Sequence, residues 1–398
     1  MNKIINLNNF DNNKQNFLLI MHDTSHRYGW SYELIEELAQ NFNLHLFTNI
    51  SSTVSYDQVV SYITFDKNNE LNLNAYPNDA SLSFFDDVIN DLIKQFGIFD
   101  FVLDSPLRTI FYTELSQMLK ETKKVHYVLY EPNFWIDSTL LGYLSLRLFE
   151  DNFYFASKGS LKWIEKELNM SLVKKNIVGI PVPQIDLFLA KGEIKSNHSQ
   201  NEPLKIIIPS RIEVTKMYII SSLLDILKLI QEGFNIEVTV IGKDGGLSRT
   251  IQNIINKSEL KAVVTKVSEQ NPIDIDFWKE HDVAIAMGTS ALITVAMGIP
   301  TIYSLPNVPK INNNKEIIYE YVHNKGFLGI NFDSINEPPS IKYEDKKTYT
   351  YYALLKSILT NELDLSLLSN QSLEYIQKNI DLLRIKNIIH RITNNESY

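Results

Sequence analysis

Cysteine is absent from this sequence of 398 residues. Disulfide bonds and zinc sites built on thiolates are therefore excluded. The sequence also lacks a Walker lysine loop, the residue order of a Ser-His-Asp triad and a glycine-rich fingerprint after its first predicted strand. These absences argue against NTPase, serine hydrolase and dinucleotide-dependent redox chemistry.

Positive charge is in the minority, with 38 Lys and Arg residues against 47 Asp and Glu residues. The formal net charge is −9 at pH 7, and the Lys and Arg residues form no cluster. Nucleic-acid binding requires a basic face, so we expect no nucleic-acid partner. The beginning of the chain is polar and rich in Asn, with no apolar stretch of signal-peptide length. We therefore expect a cytoplasmic protein.

An uncharged and largely apolar run, VAIAMGTSALITVAMGIPTIY, extends over residues 283–303. It is long enough to cross a bilayer, but glycines and a proline interrupt it, so it does not encode one continuous helix. Its pattern predicts a buried strand at 283–287, a helix at 290–297 and a second strand at 299–303. Strands that are apolar at every position are typical of a parallel sheet covered on both faces. The sequence therefore predicts no transmembrane segment.

Alternating strand and helix patterns occur in two series, separated by a polar linker near residues 189–203. This organisation predicts an α/β fold with an N-terminal domain at 1–185 and a C-terminal domain at 186–370. In such sheets ligands bind at the carboxyl ends of the strands, so we expect the two domains to face a central cleft. Residues 371–398 should form one amphipathic helix that packs back on the body, although attachment to the inner face of the membrane stays open.

The predicted C-terminal domain contains a candidate anion site. Arg211 and Lys216 follow its first strand, and Gly288, Thr289 and Ser290 lie between a later strand and the helix after it. A helix begins with N–H groups that lack partners and with the positive end of its dipole, so this position attracts anions. Ordinary helix capping by Ser or Thr and solvated surface charges are the alternatives.

Candidate general bases follow strands of the predicted N-terminal domain. They are His22, Asp104 and Glu131, and each could take a proton from a hydroxyl that enters the cleft. Each could equally cap a helix. The spacing of His22 and His26 would suit a metal only on a helix, whereas the sequence places both in a loop, so we expect no metal site.

The order of these segments resembles the GT-B glycosyltransferases, in particular their bacterial family 4 group, over most of the chain. The segment IIIPSRIEVTK is similar to the family's strand followed by Arg, four residues and Lys. The resemblance implies two Rossmann-like domains and a nucleotide-sugar site formed by Arg211, Lys216 and the residues 288–290. It also implies that the nucleotide sugar is a substrate and that neither a cofactor nor a metal is needed.

Two positions depart from the pattern of the family. Its two glutamates, separated by seven residues, align with Ile285 and Ile293. The second glutamate of the family accepts hydrogen bonds from ribose hydroxyls. A charged hydrogen bond contributes roughly 1.5 to 3 kcal/mol, so its loss would weaken nucleotide binding.

Two functions are compatible with these residues. The first is a glycosyltransferase that moves a sugar from a nucleotide sugar to a glycan, lipid-linked or protein acceptor in bacterial surface glycan or glycoprotein assembly. Glu131 would be the base if the reaction inverts the anomeric centre. The alternative is a catalytically silent glycosyltransferase-like subunit that binds a partner transferase or an acceptor protein.

Overall fold

The structure is a computed structural model, and it divides into two compact units. Unit 1 comprises Met1–Pro183 and Asp381–Tyr398, and unit 2 comprises Gln184–Ile380. The structure describes residues 2–21, 30–48, 58–64, 76–104, 109–122, 124–129, 150–172, 176–199, 201–267, 273–305, 310–311, 317–318, 320–337 and 348–394, and the single positions 139, 142, 145, 148 and 396.

Unit 1 is built on a sheet of seven strands in the order β1-β4-β3-β2-β5-β6-β7. The strands are β1 (Asn2–Ile5), β2 (Asn16–Met21), β3 (Asn43–Thr48), β4 (Ser61–Thr64), β5 (Phe101–Asp104), β6 (Lys124–Leu129) and β7 (Phe153–Phe155). All neighbouring strands are parallel except β1, which pairs with β4 in the antiparallel direction. The central strand β2 is buried from Phe17 to Ile20, as expected for a parallel sheet covered on both faces.

Helices follow several of the parallel strands of unit 1. They are α1 (Trp30–Asn41), α2 (Asp79–Phe96), α3 (Thr109–Leu115) and α4 (Lys158–Glu167), with 3₁₀ turns at Leu7–Asn9 and Met118–Glu121. Helix α2 begins at a capping box, because the Asn78 side chain accepts from the Ser81 N–H and the Ser81 hydroxyl accepts from the Asn78 N–H.

Unit 2 contains a sheet of six strands in the order β10-β9-β8-β11-β12-β15 and a separate two-stranded ribbon. The strands are β8 (Leu204–Pro209), β9 (Ile236–Ile241), β10 (Val264–Val267), β11 (Val283–Ala286), β12 (Thr301–Ser304), β13 (Lys310–Ile311), β14 (Ile317–Ile318) and β15 (Asn324–Phe327). Only β15 runs antiparallel in the six-stranded sheet. The carboxyl ends of the other five strands therefore share one edge.

Helices also surround the sheet of unit 2. They are α5 (Ile185–Ala190), α6 (Tyr218–Gln231), α7 (Ser248–Asn256), α8 (Ile275–Lys279), α9 (Gly288–Ala296), α10 (Tyr351–Leu359) and α11 (Leu365–Asn379), with 3₁₀ turns at Val214–Lys216 and Glu259–Ala262. Helix α6 buries Tyr218, Leu223 and Ile226 in the main core of unit 2, together with Ile206 of β8 and Val238 of β9.

The uncharged run at 283–303 forms strand β11, helix α9 and strand β12, as predicted. Helix α9 ends before Gly298, which has a φ of +79°. A Cβ atom at Gly298 would lie 2.1 Å from the Glu193 carbonyl oxygen, so the close backbone contact requires glycine. Among the described residues, no helix is long and apolar enough to cross a bilayer.

The prediction of one continuous helix in the tail is wrong. Helix α11 ends at Asn379, a 3₁₀ turn covers Ile380–Leu382, and a separate helix α12 covers Ile385–Asn394. The change of packing partner explains the break. Helix α11 belongs to unit 2, whereas α12 places Ile388 and Ile389 in a core of unit 1.

Candidate functional site

The carboxyl edge of the sheet in unit 2 brings several predicted residues close together. Strands β8, β9 and β11 are parallel neighbours, with Val283 of β11 opposite Ile206 of β8. The segments that follow these strands begin at residues 210, 242 and 287. They must therefore start at the same edge of the sheet, which is where open α/β sheets bind ligands.

The first two of these segments are joined by backbone contacts. The Ile212 N–H donates to the Lys243 carbonyl at 2.9 Å, and the Leu247 N–H donates to the Ile212 carbonyl at 3.2 Å. A Cβ atom at Gly242 would lie 1.8 Å from the Ser210 carbonyl oxygen, and one at Gly245 would lie 2.7 Å from that of Ile212. The glycines of the VIGKDGG segment thus allow the two loops to pack on each other.

Lys216 extends from this packed loop to the beginning of helix α9. Its Nζ lies 3.2 Å from the sulfur of Met287, and Met287 is the N-cap residue of that helix. Gly288, Thr289 and Ser290 form the first turn of α9, two residues earlier than the helix start predicted from the sequence. The structure therefore brings Lys216 and these three predicted residues together.

The beginning of helix α9 has no side-chain cap. Met287 cannot accept a capping hydrogen bond through an oxygen, and the first turn contains no acidic residue. In the described part of the chain, the N–H groups of Gly288, Thr289 and Ser290 donate to no backbone or side-chain group. Gly288 has a φ of +57°, and a Cβ atom there would meet nothing within 4 Å. These N–H groups and the helix dipole can act together on an anion.

Arg211 has a different environment from Lys216. Its side chain is about half exposed, and its Nη2 lies 3.5 Å from Glu213 Oε1. Glu213 also accepts a hydrogen bond from the Thr215 hydroxyl at 3.1 Å. The guanidinium carries five N–H donors, so Arg211 could bind a phosphate beside this ion pair, with the negative charge of Glu213 nearby opposing it.

The two isoleucines at the family's glutamate positions are both buried. Ile285 lies on β11 in the main core of unit 2, and Ile293 lies on α9 with 5% of its surface exposed. A carboxylate at Ile285 would lie inside the apolar core, where an unpaired charge is strongly unfavourable. Ile285 is therefore a core residue in this chain.

Met287 and Tyr218 belong to this edge of the sheet but were not singled out from the sequence. Tyr218 begins helix α6 and is fully buried, and burial raises the pKa of its hydroxyl above the ordinary value. The sequence contains one signal for Met287, because this residue stands between a buried strand and a glycine that begins a helix. Nothing in the periodicity around Tyr218 distinguishes it from other core residues.

The predicted bases of the N-terminal domain are largely outside the described residues. His22 and Glu131 both lie outside the described residues. Asp104 is the last residue of β5, and its backbone pairs with Ile20 of β2 and Tyr127 of β6. This register puts Asp104 at the carboxyl edge of the sheet in unit 1. The catalytic roles of all three residues stay predictions.

A metal site would need several His, Asp or Glu side chains to converge. Over the part of the chain that the structure describes, no group of three or more His, Asp or Glu side chains could hold a metal ion. The expectation that the protein needs no metal stays a prediction.

No protein-family model matches this chain, and no curated protein sequence matches it. Among solved structures, a glycosyltransferase from Rickettsia africae is similar with a TM-score of 0.65 and 12% identity, covering 96% of this chain and 97% of that one. Sucrose-phosphate synthase from Thermosynechococcus elongatus gives a TM-score of 0.61 at 14% identity, covering 96% and 98%.

A third similar structure contains a nucleotide. HepE from Anabaena, in complex with UDP and glucose, gives a TM-score of 0.58 at 12% identity, covering 96% of this chain and 98% of that one. At such identities the similarity establishes the fold. The predicted α/β fold with two Rossmann-like domains of the GT-B class is therefore confirmed.

Proposed function

We propose that the protein is a cytoplasmic glycosyltransferase that binds the diphosphate of a nucleotide sugar at the carboxyl edge of unit 2. The observation that carries this proposal is the contact between Lys216 and the N-cap residue of α9, a helix without a side-chain cap. A mobile ammonium group and unpaired helical N–H groups form a site suited to a phosphate.

The same groups would assist transfer of the sugar. Negative charge develops on the diphosphate as the bond to the sugar breaks, and fixed N–H donors with a cation stabilise that charge. Lys216 and the first turn of α9 would supply this stabilisation. Arg211 would add a planar pair of donors. Catalysis would then consist mainly of positioning and charge stabilisation.

The acceptor is proposed to be a glycan, a lipid-linked sugar or a protein in bacterial surface glycan or glycoprotein assembly. If the anomeric centre is inverted, the acceptor hydroxyl needs a base. Glu131 is the proposed base, with His22 and Asp104 as the other candidates. We propose that no metal or cofactor takes part.

This protein should bind its nucleotide less tightly than a glycosyltransferase that has a ribose-binding carboxylate. Ile293 supplies no acceptor to a ribose hydroxyl, and a lost charged hydrogen bond of roughly 1.5 to 3 kcal/mol corresponds to about a tenfold to hundredfold weaker affinity. We therefore propose that the diphosphate provides most of the donor affinity. Binding should consequently weaken strongly as salt is added.

The buried Ile285 and Ile293 also favour a second candidate function, because both positions have lost their carboxylates. In that case the protein is a catalytically silent subunit that binds a partner transferase or an acceptor protein. The two proposals differ in one respect that can be measured. Only the transferase needs Lys216 for its function.

The experiment is a thermal-shift titration with UDP, GDP, dTDP, CDP and their sugars. A ligand at about 100 times its dissociation constant stabilises the folded state by about 2.7 kcal/mol. We expect one nucleotide class to stabilise the protein, and the Lys216→Ala variant to lose that response. Lys257→Ala is the matched control, because it removes an exposed lysine beyond the end of helix α7. No response to any nucleotide would refute the donor site and support the silent subunit.

A further inference from the structure

A depression on the flank of unit 2 is separate from the site at the carboxyl edge. It lies between the second half of helix α6, the segment at 321–323 and the beginning of α10, is open to solvent, and has a volume of about 710 Å³. Pockets for small molecules commonly measure about 300 to 1,000 Å³. Asp225 in its wall is seven residues beyond Tyr218 on the same helix, which corresponds to about 10 Å along the axis.

The Asp225 carboxylate forms the inner wall of this depression. The residue is only 1% exposed. It accepts hydrogen bonds from Lys228 Nζ at 2.8 Å, from the Tyr352 N–H at 3.1 Å and from the Tyr321 hydroxyl. These bonds fix the segment at 321–323 and the start of α10 against α6. The wall is therefore held in place before any ligand arrives, which lowers the entropic cost of binding.

The two acids that line the depression are each paired with a lysine, one in the lining and one beside it. Asp225 pairs with Lys228 at 2.8 Å, and Glu232 pairs with Lys356, also at 2.8 Å. Glu232 additionally accepts from the Tyr352 hydroxyl at 2.5 Å. Each acid of the lining is therefore neutralised by a lysine, so neither acid leaves an uncompensated charge for an ionic ligand. A neutral ligand with many hydrogen-bonding groups fits this arrangement better.

Aromatic rings and neutral polar groups form the rim. Tyr321 is 38% exposed, and its ring meets the His323 ring at 4.8 Å between centroids and an angle of 70°. Gln231 and His323 are exposed, and within the described ranges neither side chain forms a hydrogen bond to another residue. Amide and imidazole groups can both donate to and accept from hydroxyls, while ring faces cover apolar C–H surfaces.

We propose that this depression is a second carbohydrate site, which binds a neutral oligosaccharide through its hydroxyls and its C–H faces. Sugars combine these two kinds of surface in one molecule, and the depression offers the matching groups. Its role, which is to hold the acceptor or product glycan away from the reaction site, rests on the proposed function. Binding of the oligosaccharide itself does not depend on nucleotide binding.

The test is ligand-observed saturation-transfer NMR on the full chain. The probes are maltotetraose, chitotetraose and mannotetraose, with tetragalacturonate as the charged comparison. We expect at least one neutral tetrasaccharide to bind, and the double variant Gln231→Ala/His323→Ala to weaken its affinity about tenfold, because two sets of hydrogen bonds are lost. Both side chains are exposed, so the fold should be preserved. Thermal unfolding of the double variant is the control for a preserved fold.

The Lys216→Ala variant separates this proposal from the proposed function. It should lose the nucleotide response and keep its affinity for the tetrasaccharide. The second carbohydrate site is refuted if no tetrasaccharide binds at about 1 mM, a concentration at which a matching dissociation constant corresponds to about −4 kcal/mol. It is also refuted if the double variant binds as tightly as the unchanged protein, or if tetragalacturonate binds as well as the neutral probes.

Discussion

Placing a carboxylate in the first turn of helix α9 should raise stability and weaken nucleotide binding at the same time. Thr289 is the second residue of that helix, and its side chain is partly exposed. In the Thr289→Asp variant, the new charge would interact favourably with the positive end of the helix. The same charge would repel a diphosphate bound there.

The two effects have different magnitudes. An acidic residue in the first turn stabilises a helix by about 0.3 to 1 kcal/mol. Two unit charges about 5 Å apart interact by about 2 to 3 kcal/mol at an effective dielectric of about 20 to 30. Screening at physiological ionic strength reduces this repulsion. We expect nucleotide affinity to fall by about tenfold at physiological salt, and by more at low salt.

Urea unfolding and calorimetric titration with the nucleotide identified by thermal shift measure both effects. Thr289→Asn is the matched control, because it has nearly the same shape as Asp without the charge. The Asp variant should unfold at higher urea and bind more weakly than the Asn variant. Equal nucleotide affinity in these two variants would refute the assignment of the diphosphate to the beginning of α9.

Three further predictions concern stability. Burial lowers the pKa of His126 from 6.5 to about 4, so the unfolded chain binds a proton between these pH values that the folded protein does not. The unfolding free energy, measured with urea, should therefore fall as the pH falls from 6.5 to about 4, and His126→Phe should reduce this dependence by up to about 1.4 kcal/mol per pH unit. An unchanged pH dependence in the variant would contradict this. Gly298→Ala should lower the unfolding free energy by several kcal/mol more than Gly233→Ala. Gly233 has a similar positive φ, but a Cβ atom there would meet nothing within 4 Å. Similar losses in the two variants would contradict a role for the Glu193 contact. Ile388→Ala should destabilise unit 1 by about 2 to 5 kcal/mol, measured by denaturant unfolding, because it opens a cavity in a core. A loss below about 1 kcal/mol, half the lower end of that range, would argue against burial of α12.

Much of unit 2 could be predicted from the sequence. The division of the apolar run into strand, helix and strand followed from Gly298 and Pro300, since these residues cannot continue a helix. The proximity of Lys216 to the beginning of α9 followed from the geometry of parallel strands, which end at a common edge. Both predictions depend on local patterns and on a general property of α/β sheets.

Other features depend on contacts that the periodicity does not contain. The ion pair between Arg211 and Glu213 is set by the course of a loop, and residues two apart in a loop have no fixed relation. The break in the tail was missed because the apolar stripe continues through Ile380 into α12. A stripe shows that a surface is buried, but it does not identify the unit that buries it.

Unit 1 is assembled from two separate parts of the chain, whereas unit 2 is continuous from Gln184 to Ile380. Protein synthesis therefore completes unit 2 before the last helix of unit 1 has left the ribosome. Until then, the core of unit 1 that receives Ile385, Ile388 and Ile392 stays open. A fragment of residues 184–380 would accordingly contain all of unit 2, whereas unit 1 takes its residues from two segments, Met1–Pro183 and Asp381–Tyr398.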